Sequence, residues 1–284
     1  MMNKKNIIIF GKNGQVAMNL LRLFDLNWYS VAAYSSSEVD FTKLVQLQSF
    51  LQTITPPDFI INAAAYTNVD KAEEEKEMCD LINHQAIKII ANYCAKNAVK
   101  LISYSTDYVF DGSGNQPFSE DNVKNLNPLN FYGKSKLDGE RAIMASNCDY
   151  VILRTSWVYN DVGKNFVNTI TKLAQEKEEL NIVDDQIGAP TSAEYIAKST
   201  IKIIKTLQQN HDKNLYGIYH LTGKKYISWY QFALEIIDNL KKNSPASLRV
   251  KKVNPIKTKD YNYKAIRPLN SRLNCDKVQK VFEV

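Results

Sequence analysis

The chain has 284 residues, of which 44% are hydrophobic and 23% charged, and its formal net charge is +6. This composition is that of an ordinary folded protein and excludes a disordered or linker-rich chain. The length predicts one large domain, or one with a smaller partner. The positive charge is spread along the chain, which favours anionic small molecules and gives no reason to expect nucleic acid.

The sequence carries no signal for export or for a membrane. The apolar run near the N-terminus is short and ends at Gly11, so it predicts a buried strand rather than a secretory leader. No later stretch reaches the ~20 apolar residues of a membrane-spanning helix. Because the four cysteines lie far apart in sequence, we expect reduced thiols in a cytoplasmic protein and no zinc or redox pair.

Short apolar runs alternate with longer helical stretches in the first half of the chain. The predicted strands are Asn6–Phe10, Trp28–Tyr34, Asp58–Ala64, Lys100–Ser105 and Tyr150–Thr155. The predicted helices between them are Gln15–Leu26, Thr42–Ile54, Glu77–Asn97 and Tyr132–Ser146. Fully apolar strands are typical of a parallel sheet covered by helices on both faces. The pattern predicts an α/β fold of the Rossmann type, with a doubly wound parallel sheet.

After about Tyr159 the alternation becomes less regular. Helices are predicted at Gly163–Glu176, Ser192–Gln209 and Ser228–Lys241, and loops at Pro190, Pro245, Pro255 and Pro268. We therefore predict an NAD(P)-binding domain at residues 1–157 and a smaller α/β substrate-binding lobe formed mainly by residues 158–284. A segment at about 190–222 is expected to return to the first domain.

A glycine-rich turn, GKNGQVA at residues 11–17, separates the first strand from the first helix. Gly11 and Gly14 permit a tight turn and close approach of a pyrophosphate, and Ala17 lets helix and strand pack closely. The helix N-terminus would direct its free N–H groups at the phosphates. The candidate cofactor residues here are Gly11, Lys12, Asn13, Gly14, Gln15 and Val16. A turn without a nucleotide is the alternative interpretation.

The second strand leads into a serine-rich loop at residues 35–37. An acid at the end of this strand would bond the adenine ribose of NAD, but Glu38 comes a few residues late. The hydroxyl groups of Ser35 and Ser36 could instead bind a 2′-phosphate, with Lys12 as a nearby cation. We predict NADPH as the cofactor, with NADH as the alternative; a polar loop with neither role is a third interpretation.

Three residues could carry carbonyl chemistry. Tyr132 and Lys136 lie four apart on a predicted helix and so share one face. A phenol, with a pKa near ~10, needs a neighbouring cation to stabilise its phenolate, and Lys136 can supply that charge. Thr106, at the end of a predicted strand, can bond the same substrate oxygen. A Tyr-x-x-x-Lys pair alone is more often a solvated helix face.

Several segments occur in an order that resembles the extended short-chain dehydrogenase/reductase superfamily and, within it, the dTDP-4-dehydrorhamnose reductase family. Besides the glycine-rich turn they are NAAAYTNVD (62–70), STDYVFDG (105–112), YGKSKLDGE (132–140), LRTSWVY (153–159), DDQIGAPTSAE (184–194), GIYHLTG (217–223) and RPLNSRLN (267–274). The resemblance implies reduction of the 4-keto group of dTDP-4-dehydro-L-rhamnose, the last step of dTDP-L-rhamnose synthesis, by a nicotinamide cofactor.

The resemblance also implies roles for single residues. Tyr132 would be the general acid, Lys136 would bond the nicotinamide ribose and lower the pKa of Tyr132, and Thr106 would orient the keto group. Cofactor would lie beside Ala63, Ala64 and Ala65, with Tyr66 and Thr67 at its edge. The implied substrate residues are Thr67, Thr106, Asp107, Trp157 and Arg267, with Trp157 packed on the deoxysugar and Arg267 on the phosphates. The alternatives are an ordinary core aromatic for Trp157 and a surface ion pair for Arg267.

Two departures from the family bear on metal and assembly. Some members bind magnesium at a dimer contact, but here Asn19 stands at the first-helix position, while Glu194 is present. Because such a site needs several hard oxygen ligands, we expect no metal. The chain ends at Val284, where the family usually continues into a further apolar helix. The expected state is therefore open between monomer and homodimer.

Other functions are weighed against this one. A nucleotide-sugar 4,6-dehydratase needs Asp followed by Glu after the catalytic Thr, whereas Tyr108 follows Asp107 here. A reductase or epimerase acting on another 4-keto-deoxysugar nucleotide would use the same Tyr and Lys. A non-catalytic regulatory subunit, of the kind that partners methionine adenosyltransferase, would keep the fold alone. The presence of Thr106, Tyr132 and Lys136 favours an enzyme.

Overall fold

A computed structural model describes residues 4–210, 212–243 and 248–284. Its centre is a six-stranded parallel sheet with the order β10-β5-β4-β3-β1-β2. The strands are β1 (Lys5–Phe10), β2 (Tyr29–Tyr34), β3 (Phe59–Asn62), β4 (Lys100–Thr106), β5 (Tyr150–Thr155) and β10 (Gly217–His220). The prediction of a doubly wound parallel sheet is confirmed.

Helices cover both faces of this sheet. Along β1 the apolar side chains alternate between two cores: Ile7 and Ile9 face one, and Ile8 and Phe10 face the other. This division explains why the strand is apolar throughout. The first core includes side chains of α1 (Gln15–Leu23), α7 (Ala193–Gln209) and α9 (Asp276–Phe282), and the second includes those of α2 (Leu44–Thr53), α4 (Ala86–Asn97) and α5 (Phe131–Ala145).

Helix α3 (Lys76–Asp80) packs against α5, where Cys79 and Ser135 are hydrogen-bonded. Further elements form smaller sheets and a third apolar cluster. They are β6 (Val158–Tyr159), α6 (Phe166–Glu176), β7 (Glu179–Val183), β8 (Ile187–Gly188), β9 (Thr191–Ser192), β11 (Ile227–Ser228), α8 (Trp229–Asn243) and β12 (Lys252–Ile256). The third cluster is built largely from α6, α8 and β7. By contrast α7 and β10, from the 190–222 segment, pack on or within the main sheet. The domain boundaries themselves stay a proposal.

Three predicted elements differ from those observed. Pro255 lies within β12 rather than in a loop, and β12 pairs with β7 in a two-stranded sheet, where an edge position tolerates a residue without an N–H. The helix predicted at Glu77–Asn97 is α3 and α4 joined by a π-helical turn at Leu81–Gln85. Helix α6 begins at Phe166, because the Asn165 side chain caps it. The loop predicted at Pro245 lies outside the described residues.

None of the helices in the described ranges combines the length and the apolar character needed to cross a bilayer.

Candidate active site

The glycine-rich turn brings the end of β1 into contact with the segment after β3. Gly11 has φ +87°, and a Cβ atom on it would overlap the backbone of Ala63 and Ala64. The Gly14 N–H donates to the Gly11 carbonyl oxygen at 2.8 Å, and Gly14 is also the N-cap residue of α1. The free N–H groups of α1 therefore begin at the carboxyl edge of the sheet, where anions bind.

A cavity of about 530 Å³ opens at this edge. It brings together most of the predicted cofactor residues, together with one predicted substrate residue: Gly11, Asn13, Gly14, Ser35, Ser36, Ala63, Ala64, Ala65 and Thr67. Three residues of the turn do not line it. Gln15 instead accepts a hydrogen bond from Asn165 at 3.1 Å, Val16 packs on the first core, and the Lys12 ammonium lies 3.9 Å from Glu38.

Other cavity residues were not predicted from the sequence. Asp40 and Phe41 line the cavity from the loop after β2, and Lys71 and Glu75 line it from the segment after β3. Tyr66, which the resemblance implied at the edge of the cofactor, also lines the cavity, and its hydroxyl donates to the Glu75 carboxylate at 2.5 Å. Burial and this carboxylate raise the pKa of Tyr66 to about 12. The nearest sequence feature is Val39-Asp40-Phe41, directly after Glu38. It does not by itself indicate that the loop folds back over the cavity.

The serine-rich loop holds an anion beside the cavity. Glu38 accepts hydrogen bonds from the Ser35 N–H at 2.9 Å and from the Ser35 hydroxyl at 2.8 Å. These bonds lower the pKa of the Glu38 carboxyl, so it is charged at neutral pH. Ser35 is therefore already engaged by Glu38, whereas Ser36 faces the cavity, and Lys12 is the cation nearest the carboxylate among the described residues.

Tyr132 and Lys136 lie on the first turns of α5. The Asn130 side chain caps this helix by accepting from the Gly133 N–H at 2.8 Å. The Lys136 ammonium group donates to the Tyr104 carbonyl oxygen in β4 at 2.7 Å. A Cβ atom on Gly133 would overlap the Tyr108 carbonyl oxygen, so the glycine lets α5 approach the loop that follows β4. Both predicted catalytic side chains are thereby placed beside the end of β4.

Thr106 is the last residue of β4, and it is buried. Its hydroxyl donates to an Asp107 carboxylate oxygen at 3.2 Å and accepts from the Tyr108 N–H at 3.2 Å. The Tyr108 ring packs edge-on against the Tyr132 ring, with 5.6 Å between centroids. The structure thus brings Thr106, Asp107 and Tyr132 together as the sequence predicted.

Burial controls the protonation of this group. It raises the pKa of the Tyr132 phenol above its ordinary value, while a hydrogen bond with Thr106 acts in the opposite direction. Burial also lowers the pKa of Lys136 to about 8 and raises that of Asp107 to about 7. The resemblance implied that Lys136 lowers the Tyr132 pKa; in this structure desolvation outweighs any such effect. A phenol that keeps its proton at neutral pH is suited to donate it.

A side-chain bridge joins the cavity wall to α5. Asn83, in the π-helical turn, accepts from the Tyr66 N–H at 2.9 Å and donates to the Ser135 hydroxyl at 3.1 Å. Ser135 in turn donates to the Tyr132 carbonyl oxygen at 2.8 Å. No local sequence pattern predicts this bridge, because its members come from three separate segments.

Two polar atoms at the site are buried without a hydrogen-bond partner among the described residues. They are Oδ2 of Asp107 and Nε of Arg267. Such atoms are uncommon in folded proteins and fit a site that a polar ligand completes. The other guanidinium nitrogens of Arg267 donate to Asp70 at 2.8 Å and to the Tyr108 hydroxyl at 3.4 Å. Arg267 thus forms an ion pair at the edge of the candidate site, but its side chain is only 13% exposed, so this is not the surface ion pair of the alternative interpretation.

Trp157 is held in a fixed orientation. It lies just beyond β5, with φ +48°, and its indole stacks on that of Trp229 with 3.4 Å between ring centroids. A Cβ atom on Gly188 would overlap the Trp157 ring, so this glycine makes room for it. One face of Trp157 is therefore covered by Trp229, and its contact with a deoxysugar stays a prediction.

Comparison with known proteins identifies the family. The family model of the RmlD substrate binding domain matches residues 5–284. The dTDP-4-dehydrorhamnose reductase of Escherichia coli (strain K12) is 40% identical over 280 residues, which cover 98% of this chain and 92% of that protein. The chain belongs to the dTDP-4-dehydrorhamnose reductase family.

Solved structures and a further relative agree with this membership. The dTDP-4-dehydrorhamnose reductase of Bacillus anthracis, crystallised in complex with NADP, matches with a TM-score of 0.87 and 34% identity, over 98% of this chain and 93% of that one. The spore coat polysaccharide biosynthesis protein SpsK of Bacillus subtilis is 34% identical over 268 residues, which cover 94% of this chain and 88% of that protein. The chain is therefore an enzyme of the oxidoreductase class.

The segment compared with the magnesium-binding members of this reductase family carries an ion pair. Arg22 on α1 donates to Asn19 at 3.0 Å and lies 3.2 Å from the Glu194 carboxylate. Lys198 approaches the same carboxylate at 2.7 Å. Glu194 therefore has two cationic partners, and the absence of a metal stays an expectation.

Proposed function

We propose that this protein uses NADPH to reduce the 4-keto group of dTDP-4-dehydro-L-rhamnose, giving dTDP-L-rhamnose. The observation that carries the proposal is the placement of Thr106, Tyr132 and Lys136 at the carboxyl end of β4. They adjoin the segment after β3 that lines the large cavity. The family's substrate and the NADP bound by the Bacillus anthracis relative supply the chemistry.

The large cavity is proposed to hold part of the dinucleotide, since Tyr132 and Lys136 are not among its lining residues. The pyrophosphate of the dinucleotide would meet the N-terminus of α1 at Gly11, Asn13 and Gly14, in a turn that packs on the Ala63–Ala64 backbone because Gly11 has no Cβ atom. The small side chains of Ala63–Ala65 leave width beside the sheet. When bound, the reduced nicotinamide supplies a hydride. We infer a preference for NADPH, with NADH as the alternative, because Lys12 partly offsets the Glu38 charge near Ser36.

Tyr132 acts in this proposal as the general acid. The substrate's 4-keto oxygen would lie between the hydroxyl groups of Thr106 and Tyr132, both of which can donate to it. As negative charge develops on that oxygen, Tyr132 donates its proton there. Lys136 holds the nicotinamide ribose, and its positive charge stabilises the phenolate left on Tyr132.

Four further side chains are proposed to hold the nucleotide sugar. The unpartnered Asp107 oxygen would accept from a sugar hydroxyl, and Thr67 would contribute a polar contact from the cavity rim. Trp157 is proposed to contact the deoxysugar with the part of its indole that Trp229 and Gly188 leave uncovered. Arg267, with its unpartnered Nε, would bind the pyrophosphate while Asp70 fixes its orientation. We place the reaction in the cytoplasm, where thiols stay reduced, and leave monomer and homodimer open.

The test is an assay of NADPH absorbance with a panel of nucleotide-linked 4-keto sugars. We expect dTDP-4-dehydro-L-rhamnose to give the highest kcat/KM and NADPH to be used more efficiently than NADH. Bound cofactor without turnover on any sugar would instead support the regulatory-subunit alternative. A higher kcat/KM for another sugar would move the substrate assignment within the same reaction class.

A further inference from the structure

Two buried ionisable residues follow Tyr132, the proposed proton donor, along α5. Tyr132, Lys136 and Glu140 follow one another at intervals of four residues, so they share one face of the helix. Lys136 is 6% exposed and Glu140 3% exposed. Both residues are among those that line one small cavity of about 10 Å³, together with residues of β4 and β5.

Arg154 on β5 pairs with Glu140 from the opposite side. Its Nε donates to one carboxylate oxygen at 2.9 Å and its Nη2 to the other at 2.6 Å. Arg154 is itself 1% exposed and lies against the Phe110 ring, 5.0 Å from its centroid. The two-point geometry fixes the plane of the Glu140 carboxylate.

Glu140 pairs directly with Arg154 and acts on Lys136 through its charge, with no ion pair within 4 Å between these two described residues. Burial and the Arg154 charge lower the pKa of His220 to about 3, so the histidine next to Arg154 is neutral. A buried ammonium group without an anion gives up its proton, because desolvation penalises the charged form. The titratable groups beside this cluster include Cys79 on α3, Tyr104 on β4, Tyr150 on β5 and Glu120, which accepts from the His220 N–H.

We propose that Glu140 is a positioning residue for the reaction: its carboxylate, fixed by Arg154, keeps the Lys136 ammonium group charged at the end of β4, where this group donates to the Tyr104 carbonyl oxygen. The inference rests on the proposed function, since it assigns a purpose to the charge on Lys136. Burial and Glu140 act in opposite directions on the pKa of Lys136, and their balance leaves it at about 8, so the group is still protonated at neutral pH. Glu140 thereby acts through Lys136 and needs no contact with substrate.

The experiment titrates Lys136 directly, by the NMR shift of its 13C-labelled Cε atom, assigned from the signal lost in Lys136→Arg. Glu140→Gln alone would leave Arg154 buried without a partner, and Arg154→Gln alone would leave Glu140 buried without its ion pair, so each single change is expected to destabilise the fold. We therefore compare wild type first with the double variant Glu140→Gln/Arg154→Gln, in which neither charge remains, and then with Arg154→Gln, in which Lys136 remains as a cation near Glu140. The control is Lys134→Gln, which breaks the exposed pair with Asp138 on the same helix.

The two variants are expected to move the Lys136 midpoint in opposite directions. The double variant removes the anion and lowers the midpoint by about one pH unit, whereas Arg154→Gln leaves Glu140 to Lys136 alone and raises it by a similar amount. The alkaline limb of the kcat profile should follow both shifts, and Lys134→Gln should move neither.

If Glu140 and Arg154 only stabilise the fold, their variants would lower activity without moving the pH midpoint of the Lys136 titration. That result would overturn the proposal. Shifts in the same direction would do so as well. Folding is checked by circular dichroism, and if only one variant folds its direction decides. A wild-type midpoint below pH 7 also overturns the proposal. The titration needs neither cofactor nor substrate, so it stands apart from a failure of the reductase assay.

Discussion

Burial of the Tyr132 side chain supports its proposed role as the proton donor. A phenol whose pKa is raised by desolvation stays protonated across the neutral range and can release its proton only to a strongly basic oxygen. Replacing Tyr132 by Phe removes that proton and little else, because the ring still packs against Tyr108. We expect kcat to fall about 10²–10⁴-fold, with the Kd for NADPH nearly unchanged.

The matched control for this change is Tyr93→Phe, since Tyr93 is a phenol on α4 that does not belong to the site. It should leave kcat within about twofold of wild type. Steady-state kinetics and fluorescence titration of NADPH measure both quantities. Full activity in Tyr132→Phe would assign the proton to another donor.

The raised pKa of Asp107 predicts how the free energy of unfolding depends on pH. Burial raises its pKa from 3.8 to about 7, so between these values the folded protein binds a proton that the unfolded chain does not. The contribution of this group to the free energy of unfolding is therefore complete below pH 3.8. It falls as the pH rises above that value and is lost once the pH has passed about 7. We expect Asp107→Asn to gain stability relative to wild type by about 3 kcal/mol as the pH rises from 5 to 8, since about two of the roughly three pH units between the two pKa values fall in that window.

Urea unfolding at several pH values measures this difference. If the free energies of unfolding of the two proteins run parallel over that range, the Asp107 carboxyl titrates normally and is not a desolvated group. The same variant should raise the KM for the nucleotide sugar, because an amide oxygen accepts a weaker hydrogen bond than a carboxylate.

At the scale of elements, the approach of α5 to the end of β4 positions the catalytic side chains. Gly133 makes that approach possible, since a Cβ atom there would overlap the Tyr108 carbonyl oxygen. Gly133→Ala should destabilise the fold by about 1–3 kcal/mol and lower kcat through displacement of Tyr132. Lys134→Ala, on the exposed side of the same turn, is the control. Unchanged kcat in a folded Gly133→Ala protein would contradict the positioning argument.

Much of this element structure could be predicted because its causes are local. The apolar run of β1, the glycine turn after it and the four-residue spacing of Tyr132 and Lys136 are each visible within a few residues. Strands β7 and β12 were missed because their pairing depends on a partner about seventy residues away, and Pro255 counted against a strand. The π-helical turn at Leu81–Gln85 was also missed, since its sequence is compatible with an uninterrupted helix.

On the scale of the whole molecule, cofactor binding and folding are linked. A ligand that binds only the folded state adds about 2.7 kcal/mol of stability at a concentration of 100 times its Kd. NADPH should therefore raise the thermal midpoint of the wild type. Gly11→Ala should abolish that increase, because its methyl group would occupy space between the turn and the Ala63–Ala64 backbone.

Gly163→Ala is the control, because Gly163 has φ +89°, close to that of Gly11, and its Cβ position is open. Alanine at position 163 would have the same conformational cost of a positive φ angle, but its methyl group would meet no neighbouring backbone. Thermal unfolding with and without NADPH should show a cofactor-dependent increase for Gly163→Ala and none for Gly11→Ala. Equal increases in both would place the pyrophosphate elsewhere.

Long-range contacts set the limit of what the sequence revealed about the site. Arg267 and Asp70 are far apart in the chain, so their ion pair follows from the complete fold and from no local pattern. Asp40 and Phe41 line the cofactor cavity only because the loop after β2 folds back over it. The net charge of +6 now has a use, since cofactor and substrate both carry a pyrophosphate.

The most direct test of the account follows the hydride itself. The protein is supplied with dTDP-4-dehydro-L-rhamnose and with NADPH that carries deuterium at the transferable position of the nicotinamide, and the product is examined by NMR and mass spectrometry. We predict dTDP-L-rhamnose with one deuterium at C4 and none elsewhere. Recovery of unlabelled product, or of unchanged substrate while NADPH is bound, would contradict the proposed reduction.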